Sequence, residues 1–334
     1  MLDRLRKIRS INILKGLRYR SGLFAASKKQ VSTGYNKAWI RDNVYEALGL
    51  EKVGHRKSLV RTYNSLFDIF LKHEEKIDWA IREKPDRAFK YIHARFHPLT
   101  FREFHEEWGN KQNDAIGAFL FKVGDLLDRN VMVIRDRNDL RILEKLVKYL
   151  WSIEYWHDED NGMWEENEEV HASSVGACVA GLRKISRYIS VPKDLIDVGQ
   201  QVLDSLLPHE SATKKVDLAL LSLIYPYNIA NPAQARQILR NVERHLVRKN
   251  GVIRYIGDRY YNNGREAEWT MGFPWLAVIY RSLGDPKKHG YYLSKTHDVM
   301  NWKMELPELY YGDTSRHNPN SPLGWSQALY LNAL

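Results

Sequence analysis

The chain has 334 residues, of which 44% are apolar and 28% charged, and its formal net charge is +10. Its basic residues are dispersed among 41 acids rather than concentrated, except in a run at residues 4–9, which argues against a nucleic-acid-binding protein. No stretch approaches the ~20 apolar residues of a membrane span, and the sole cysteine, Cys178, cannot form an internal disulfide. We therefore expect a cytoplasmic protein that binds neither nucleic acid nor membrane.

The distribution of proline and glycine bears on domain organisation. The 11 prolines are spread singly, and no segment is rich enough in Pro, Gly or Ser to serve as a linker. The length is sufficient for one large helical domain with a sizeable core. We expect a single domain over residues 1–334.

Helical periodicity dominates the chain. Apolar residues recur at steps of three and four, which is the spacing of one helix face. Alternating runs of β-branched residues are almost absent, so the predicted class is all-α, with about eleven or twelve helices. The clearest stripes lie at 59–70, 116–126, 140–151, 175–185 and 238–246.

Two local signals predict the bounds of the helix around residues 238–246. Asn231 followed by Pro232 is typical of an N-cap with proline at the first helical position. Gly251 predicts the end of the same helix, because glycine readily adopts the left-handed conformation that follows a last turn.

The segments between the predicted helices alternate between short connections and long loops rich in Trp, Arg, Asp and Glu. The long ones are 18–41, 84–113, 157–171, 251–267 and 303–324. Function tends to lie on loops held by rigid elements, so their regular return predicts one functional face on a ring of helical hairpins. An open α-solenoid has the same periodicity and stays an alternative.

Two distant segments combine carboxylates with aromatic rings. They are 161–166, which reads NGMWEE, and 306–311, which reads LPELYY. Hydrolysis of a glycosidic bond needs one carboxylic acid to protonate the leaving oxygen and one carboxylate to activate water or attack. Aromatic rings stack on sugars and, by excluding water, help to keep a glutamic acid protonated near neutral pH.

Several motifs, in chain order, resemble those of the glucoamylase-like glycoside hydrolase family 15. The resemblance implies an (α/α)6 barrel with its site at one end and covers nearly the whole chain. The matching segments are 39–45 (WIRDNVY), 108–114 (WGNKQND), 162–165 (GMWE), 268–276 (EWTMGFPWL), 307–310 (PELY) and 324–327 (GWSQ).

Within that superfamily the chain most resembles the amino-terminal glucoamylase-like domain of phosphorylase kinase α and β subunits. Segments 22–27, 38–45, 93–96, 172–176 and 307–311 carry this likeness. We expect no separate β-sandwich domain, although bacterial and archaeal members of family 15 have one before the barrel.

The resemblance implies two catalytic glutamates. Glu165 corresponds to the general acid; the alternative is a surface residue in the acidic stretch 158–169. We expect Glu166 and Trp164 to raise its pKa through like charge and desolvation. Glu308 corresponds to the general base, and its alternative is a loop residue capping a helix. Members of the family invert configuration, which requires carboxyl groups about 6.5 to 9.5 Å apart.

The same resemblance implies a set of sugar-binding residues. Arg41 and Asp42 would hold hydroxyls through charge-assisted hydrogen bonds, unless Asp42 merely caps a helix and pairs with Arg41. Arg254 would bind sugar at the cleavage point, with a salt-bridged surface residue as the alternative. The full candidate set is Trp39, Arg41, Asp42, Trp108, Gln112, Asp114, Trp164, Glu166 and Arg254, in which Trp108 is the expected stacking wall and Gln112 and Asp114 are supporting polar groups.

The sequence thus favours a cofactor-independent, inverting, exo-acting α-glucosidase whose partner is a carbohydrate. We expect no metal site, since His93, His97 and His105 lack the spacing of a zinc motif. Two other classes stay open: a catalytically silent carbohydrate-binding or regulatory protein, and a helical-repeat interaction protein without a sugar site.

Overall fold

The structure is a computed structural model that describes residues 2–104, 106 and 108–334, so His105 lies outside the described residues. The all-α prediction is confirmed: the described part of the chain holds twelve α-helices and only two-residue strands. None of the helices there combines the length and apolar character needed to cross a membrane. The helices are α1 Leu2–Leu17, α2 Ile40–Lys52, α3 Arg56–Lys72, α4 Glu74–Arg82, α5 Asn113–Asp128, α6 Arg137–Ser152, α7 Ala172–Ile185, α8 Lys193–Leu206, α9 Pro232–His245, α10 Gly272–Ser282, α11 Pro286–Asp298 and α12 Gly324–Ala333.

Two kinds of helix alternate along the chain. Helices α2, α5, α7, α10 and α12 are buried on nearly every side, whereas α3, α6, α8 and α9 bury one stripe and expose the rest. Helices that are apolar all round belong to an interior layer, and amphipathic ones cover it. A buried 3-10 helix, Leu218–Leu223, takes the sixth interior position between α8 and α9.

The interior helices form a closed ring. Each packs on its neighbours, and α12 packs against α2, which joins the end of the chain to its beginning. The fold is therefore the (α/α)6 barrel, not the open solenoid. Its buried apolar side chains make one continuous core.

The tightest helix contact, between α5 and α7, depends on glycine. A Cβ atom on Gly117 would lie 2.4 Å from the backbone of Ala177, and one on Gly181 would lie 2.5 Å from the carbonyl oxygen of Gly117. Heavy atoms cannot approach so closely, so the two backbones touch only because both positions lack a side chain.

The long polar loops all lead into the amino-terminal ends of interior helices, which gather at one end of the barrel. Two short antiparallel ladders tie these loops together. Strand β1 (Ala38–Trp39) pairs with β2 (Arg95–Phe96), and β3 (Glu268–Trp269) pairs with β4 (Leu309–Tyr310). The backbone amide of Gly324 donates to the carbonyl of Ala26, which links the last of these loops to the first.

Helix signals in the sequence were accurate at one end of α9 and wrong at the other. Asn231 forms a capping box with Gln234, and Pro232 is the first helical residue, as predicted. Gly251 is not the stop: α9 ends at His245, and residues 247–252 form a tight turn whose ends pair as a β-bridge. Glycine is required there because a Cβ atom would lie 2.6 Å from the backbone of the segment that contains β3.

The glycine contact between α5 and α7 makes a testable prediction about stability. We expect Gly117→Ala to lower the free energy of unfolding by about 1–3 kcal/mol, because the added methyl must push two packed helices apart. Denaturant unfolding measures the loss.

Gly290→Ala is the matched control. Gly290 lies inside exposed helix α11, where an added Cβ would meet nothing within 4 Å. Alanine should therefore stabilise the protein by roughly 0.5–1 kcal/mol through helix propensity. Similar effects of the two substitutions would contradict the packing argument.

Candidate active site

A small pit opens at the end of the barrel where the loops gather. Its volume is about 70 Å³, room for roughly five to seven water-sized groups and far below the ~300 Å³ or more of sites that enclose a whole drug-sized ligand. The pit therefore admits the end of a ligand. Six predicted residues line it, Trp39, Arg41, Asp42, Trp164, Glu165 and Arg254, together with Tyr35, Tyr260, Trp269 and Trp325.

Glu165 is presented to the pit by a strained turn. Its φ is +65°, a conformation uncommon for residues other than glycine, and its amide donates to the carbonyl of Gly162. Burial raises the pKa of Glu165 to about 7; the charge of Asp42 adds to the rise, and Arg41 and Arg95 oppose it. The carboxyl group is thus near half-protonated at neutral pH.

Arg41 is the centre of a buried polar cluster under the pit. Its side chain is 3% exposed and donates to Gln112 at 2.9 Å, to Asp114 at 3.0 Å and, from the other guanidinium nitrogen, to Glu165 at 3.4 Å. Gln112 and Asp114 therefore hold Arg41 beneath the pit without lining the pit themselves.

Asp42 does not cap its helix. The N-cap of α2 is Trp39, held extended in β1, and no side chain accepts a capping bond there. Asp42 instead lines the pit, and burial raises its pKa to about 6 even though the charge of Arg41 lowers it. Two pit carboxyl groups, Asp42 and Glu165, consequently titrate near neutrality.

Glu166 faces away from its neighbour Glu165. It accepts hydrogen bonds from Arg254 at 2.7 Å, Lys214 at 2.9 Å and Tyr255 at 2.6 Å. Burial alone would raise the pKa of Glu166, but these partners lower it below its usual value. Glu166 is therefore ionised and holds Arg254 in position. The negative charge that raises the pKa of Glu165 comes from Asp42, not from Glu166 as expected.

Arg254 is buried, so it is not the salt-bridged surface residue that the sequence analysis left as an alternative. Its side chain is 3% exposed and is paired with Asp258 at 2.6 Å as well as with Glu166. The guanidinium group also lies 5.4 Å from the ring centre of Trp164 and 5.1 Å from that of Trp269, within cation–π range.

Glu308 is fully buried beside the pit. One carboxyl oxygen accepts from Tyr35 at 2.5 Å and Tyr260 at 3.4 Å, and the other accepts from Asn318 and from Asn320 at 2.7 Å. Burial raises the pKa of Glu308 more than these bonds lower it.

Tyr35 connects the two glutamates. It lines the pit, donates to Glu308, and has a pKa that burial raises, with the charges of Glu308 and Glu165 adding to the rise. The hydroxyl of Tyr35 therefore lies within electrostatic reach of both carboxyl groups. The predicted separation of about 6.5 to 9.5 Å between those groups stays a prediction.

Trp108 is not part of the pit wall, contrary to the expectation. It lines a neighbouring cavity of about 580 Å³. Its ring packs edge-on against that of Trp39, with ring centres 6.0 Å apart, and the guanidinium of Arg95 lies 5.2 Å from the ring of Trp39 and 4.1 Å from that of Trp108. Trp108 therefore contacts a residue of the pit wall without lining the pit itself.

Several residues of the site carried no role in the sequence analysis. Tyr35 and Tyr260 come from long loops that the sequence singled out only as loops, and Asn318 and Asn320 flank Pro319 without any motif. Arg95 stands in the segment 93–96 that contributed to the resemblance, which was its one signal. Among the described residues no three His, Cys, Asp or Glu side chains are grouped closely enough to hold a metal ion.

Comparison with known proteins settles the family. The family model described as glycosyl hydrolases family 15 matches residues 7–330. The chain belongs to this family. The match covers both glutamate segments and extends into α12, the last helix of the ring.

The curated relatives of this family 15 chain include regulatory subunits of a kinase. The phosphorylase b kinase regulatory subunit alpha of Oryctolagus cuniculus skeletal muscle is 24% identical over 395 residues, which cover 93% of this chain and 31% of the rabbit protein. The chain spans between about a fifth and a third of the length of the curated relatives it matches.

Solved structures share the fold. A variant glycosidase in complex with glucose has a TM-score of 0.84 at 19% identity, covering 99% of this chain and 95% of its own. The glucoamylase of Saccharomycopsis fibuligera has a TM-score of 0.68 at 14% identity, covering 99% of this chain and 94% of its own. At these identities the likeness concerns the fold.

The cluster around Arg41 makes a second prediction. We expect Arg41→Leu to lower the free energy of unfolding by about 3–5 kcal/mol, because it leaves the fully buried carboxylate of Asp114 without its cation. Chemical denaturation measures the loss.

Arg265→Leu serves as the control for the loss of an ion pair. Arg265 pairs with Asp313 at 3.0 Å, but the two side chains are 73% and 62% exposed. Removing such a surface pair should change stability by about 0–1 kcal/mol. Equal losses in the two variants would rule out a special role for the buried cluster.

Proposed function

We propose that this family 15 chain is an inverting, exo-acting α-glucoside hydrolase that releases glucose from the non-reducing ends of α-glucans or oligosaccharides. The observation that carries the proposal is the environment of Glu165, a carboxyl group with a pKa of about 7 on the wall of a small aromatic pit. A carboxylic acid that stays partly protonated at neutral pH is what the leaving oxygen of a glycoside requires.

Glu165 acts as the general acid. It transfers its proton to the glycosidic oxygen as the bond from that oxygen to the anomeric carbon breaks, so the leaving sugar departs as a neutral alcohol. Arg41, 3.4 Å from the carboxyl group, stabilises the carboxylate that the transfer leaves behind.

Glu308 acts as the general base. It takes a proton from water as the water oxygen bonds to the anomeric carbon from the face opposite the leaving group, which inverts configuration. Attack from that face requires the two carboxyl groups to flank the sugar. Tyr35, which lines the pit together with Glu165 and donates to Glu308, places Glu308 beside the pit.

The pit itself supports exo action. Its volume of about 70 Å³ suits the terminal unit of a substrate, and the buried ring of Trp325 forms part of its wall. Arg41 and Asp42 would hold the hydroxyls of that unit, so that binding energy orients the reacting carbon. The glycosidase with the same fold that was solved with glucose supports a sugar ligand.

The first test is a set of matched substitutions. We expect Glu165→Gln and Glu308→Gln each to lower kcat by about 100-fold or more on the best substrate among maltose, isomaltose, trehalose and starch, since acid–base catalysis commonly contributes that much. Proton NMR of the first products should show β-glucose from the unit that is attacked, accompanied in the case of trehalose by an equal amount of α-glucose from the leaving half.

Glu159→Gln is the control, because Glu159 is an exposed glutamate of the same acidic stretch outside the pit. It should leave kcat unchanged. Release of no sugar by the unaltered protein from any of the four substrates would end the hydrolase proposal, and α-glucose without β-glucose as first product would end the inverting mechanism.

The pH dependence of the reaction is a separate prediction. Because Glu165 must be protonated to act, kcat/KM should fall as pH rises through about 7, the pKa to which burial raises this group. Glu165 is neutral in the folded state at pH values where it is ionised in the unfolded chain. Its contribution to stability is thus present below the unfolded pKa and is lost as pH rises through about 7.

Rate profiles and thermal unfolding between pH 4 and 9, measured for the parent and for Glu165→Gln, check both effects. The variant should lose less stability over this interval than the parent. A profile for the parent that rises with pH above 7 would exclude Glu165 as the acid.

A second candidate function is a carbohydrate-binding or regulatory protein without catalysis. The specific observation in its favour is that both oxygens of Glu308 are occupied by side-chain donors, whereas a general base needs a free lone pair for water. Relatives named as regulatory subunits point the same way. Calorimetric binding of glucose or maltose without any release of sugar would select this function.

The location we propose is the cytoplasm. The support is the chain's single cysteine, which is buried and forms no disulfide, and disulfides are rare in that compartment.

A further inference from the structure

The end of the barrel opposite the pit carries a cluster of positively charged side chains. Interior helices α2, α5 and α7 begin at the pit and end at this opposite face, with Lys52, Asp128 and Ile185 as their last residues. Since α5 has 16 residues, the two ends lie roughly 24 Å apart. A ligand bound at this face would therefore be separate from one bound in the pit.

A cavity of about 360 Å³ opens between the ends of α5 and α7. This volume is within the range of ~300–1,000 Å³ typical of small-molecule sites. Part of its wall is apolar, formed by the ring of Phe121 and by Pro226, and the charged part consists of four cations and one carboxylate: Arg129, Arg183, Lys184, Arg187 and Asp125.

Nearby acids neutralise only part of this charge. Arg129 bonds Asp125 at 3.2 Å, and both Lys184 and Arg187 bond Asp128, at 2.8 and 2.9 Å. Asp125 is also shared with the buried side chain of Lys122, at 2.5 Å. Asp125 and Asp128 thus each pair with two or more cations, so these two carboxylates cannot neutralise all of the positive charge.

Arg183 has no carboxylate within 4 Å among the described residues, although it lines the cavity. Lys52, which lines the adjoining cavity of about 180 Å³, likewise has no carboxylate within 4 Å among the described residues. Its pKa is lowered by burial and further by the charges of Arg281 and Lys7, which marks a positive local potential.

The helix dipoles do not cancel the excess of positive charge around the two cavities. The carboxyl end of a helix carries a partial charge of about −0.5, so the ends of α2, α5, α7 and α12, whose Asn332 lines the adjoining cavity, together supply about −2. Six cations surround the two cavities, Lys52, Lys122, Arg129, Arg183, Lys184 and Arg187, against three carboxylates, Glu51, Asp125 and Asp128. A net positive charge is left after both corrections.

We propose that this cavity binds a small phosphate ester, with Arg183 and Arg187 as its principal phosphate ligands. Arginine suits this ligand because its planar guanidinium donates two parallel hydrogen bonds to phosphate oxygens. Both side chains are accessible at the rim, where Arg187 is 64% exposed. The apolar wall of Phe121 and Pro226 would contact the organic part of the ester.

Titration calorimetry and thermal unfolding at low ionic strength test the site with three probes: inorganic phosphate, glucose 6-phosphate and ATP. Glucose and sodium chloride at matched ionic strength are the ligand controls. At least one ester should bind and raise Tm, and more tightly than inorganic phosphate. The double variant Arg183→Gln/Arg187→Gln should weaken that binding at least tenfold.

Arg244→Gln is the control variant, since Arg244 is an exposed cation of α9 that lines neither cavity. It should leave the affinity unchanged. The proposal is overturned if none of the three probes binds, if inorganic phosphate binds as tightly as the esters, or if the double variant binds as the parent does. Equal weakening by Arg244→Gln would also overturn it, because diffuse net charge would then explain the binding. None of these measurements depends on hydrolysis.

Discussion

The ion pair between Arg41 and Asp114 is the interaction on which the candidate site depends. It joins the first turns of two interior helices, α2 and α5, and neither side chain is more than 3% exposed. A buried charge without its partner is costly, so each member fixes the other in position. Because the same guanidinium also contacts Glu165, the geometry of the pit is set by the packing of the barrel itself.

Different environments then shift the pKa values of the carboxyl groups in and beside the pit in opposite directions. Glu165 and Asp42 have few compensating donors, and burial raises the pKa of each. Glu166 is the next residue in the chain, yet its pKa is lowered because Arg254, Lys214 and Tyr255 surround it. One turn of backbone therefore places two adjacent glutamates in different protonation states, which is how a protein assigns different roles to like residues.

Patterns local in sequence predicted much of this structure. Helical stripes gave the class, the ring of loops gave the functional face, and motif order led to Arg41, Asp42, Glu165 and the supporting pair Gln112 and Asp114. The partners of Glu308 could not be predicted, because Tyr35 reaches it from 273 residues away and the two asparagines stand in no motif. Trp108 was expected in the pit wall but packs against Trp39 from a neighbouring cavity, and no local pattern shows which of two adjacent cavities a ring lines.

The packing of Trp325 in the wall of the pit has a consequence for the kinetics of the proposed reaction. Trp325 is packed against Tyr45 and Trp275 in the core, so a released glucose unit would have no exit on that side. The shortened polymer would have to withdraw before the released monosaccharide could diffuse out. Such a catalyst would be distributive, trimming many chains by one unit each rather than digesting one chain to its end.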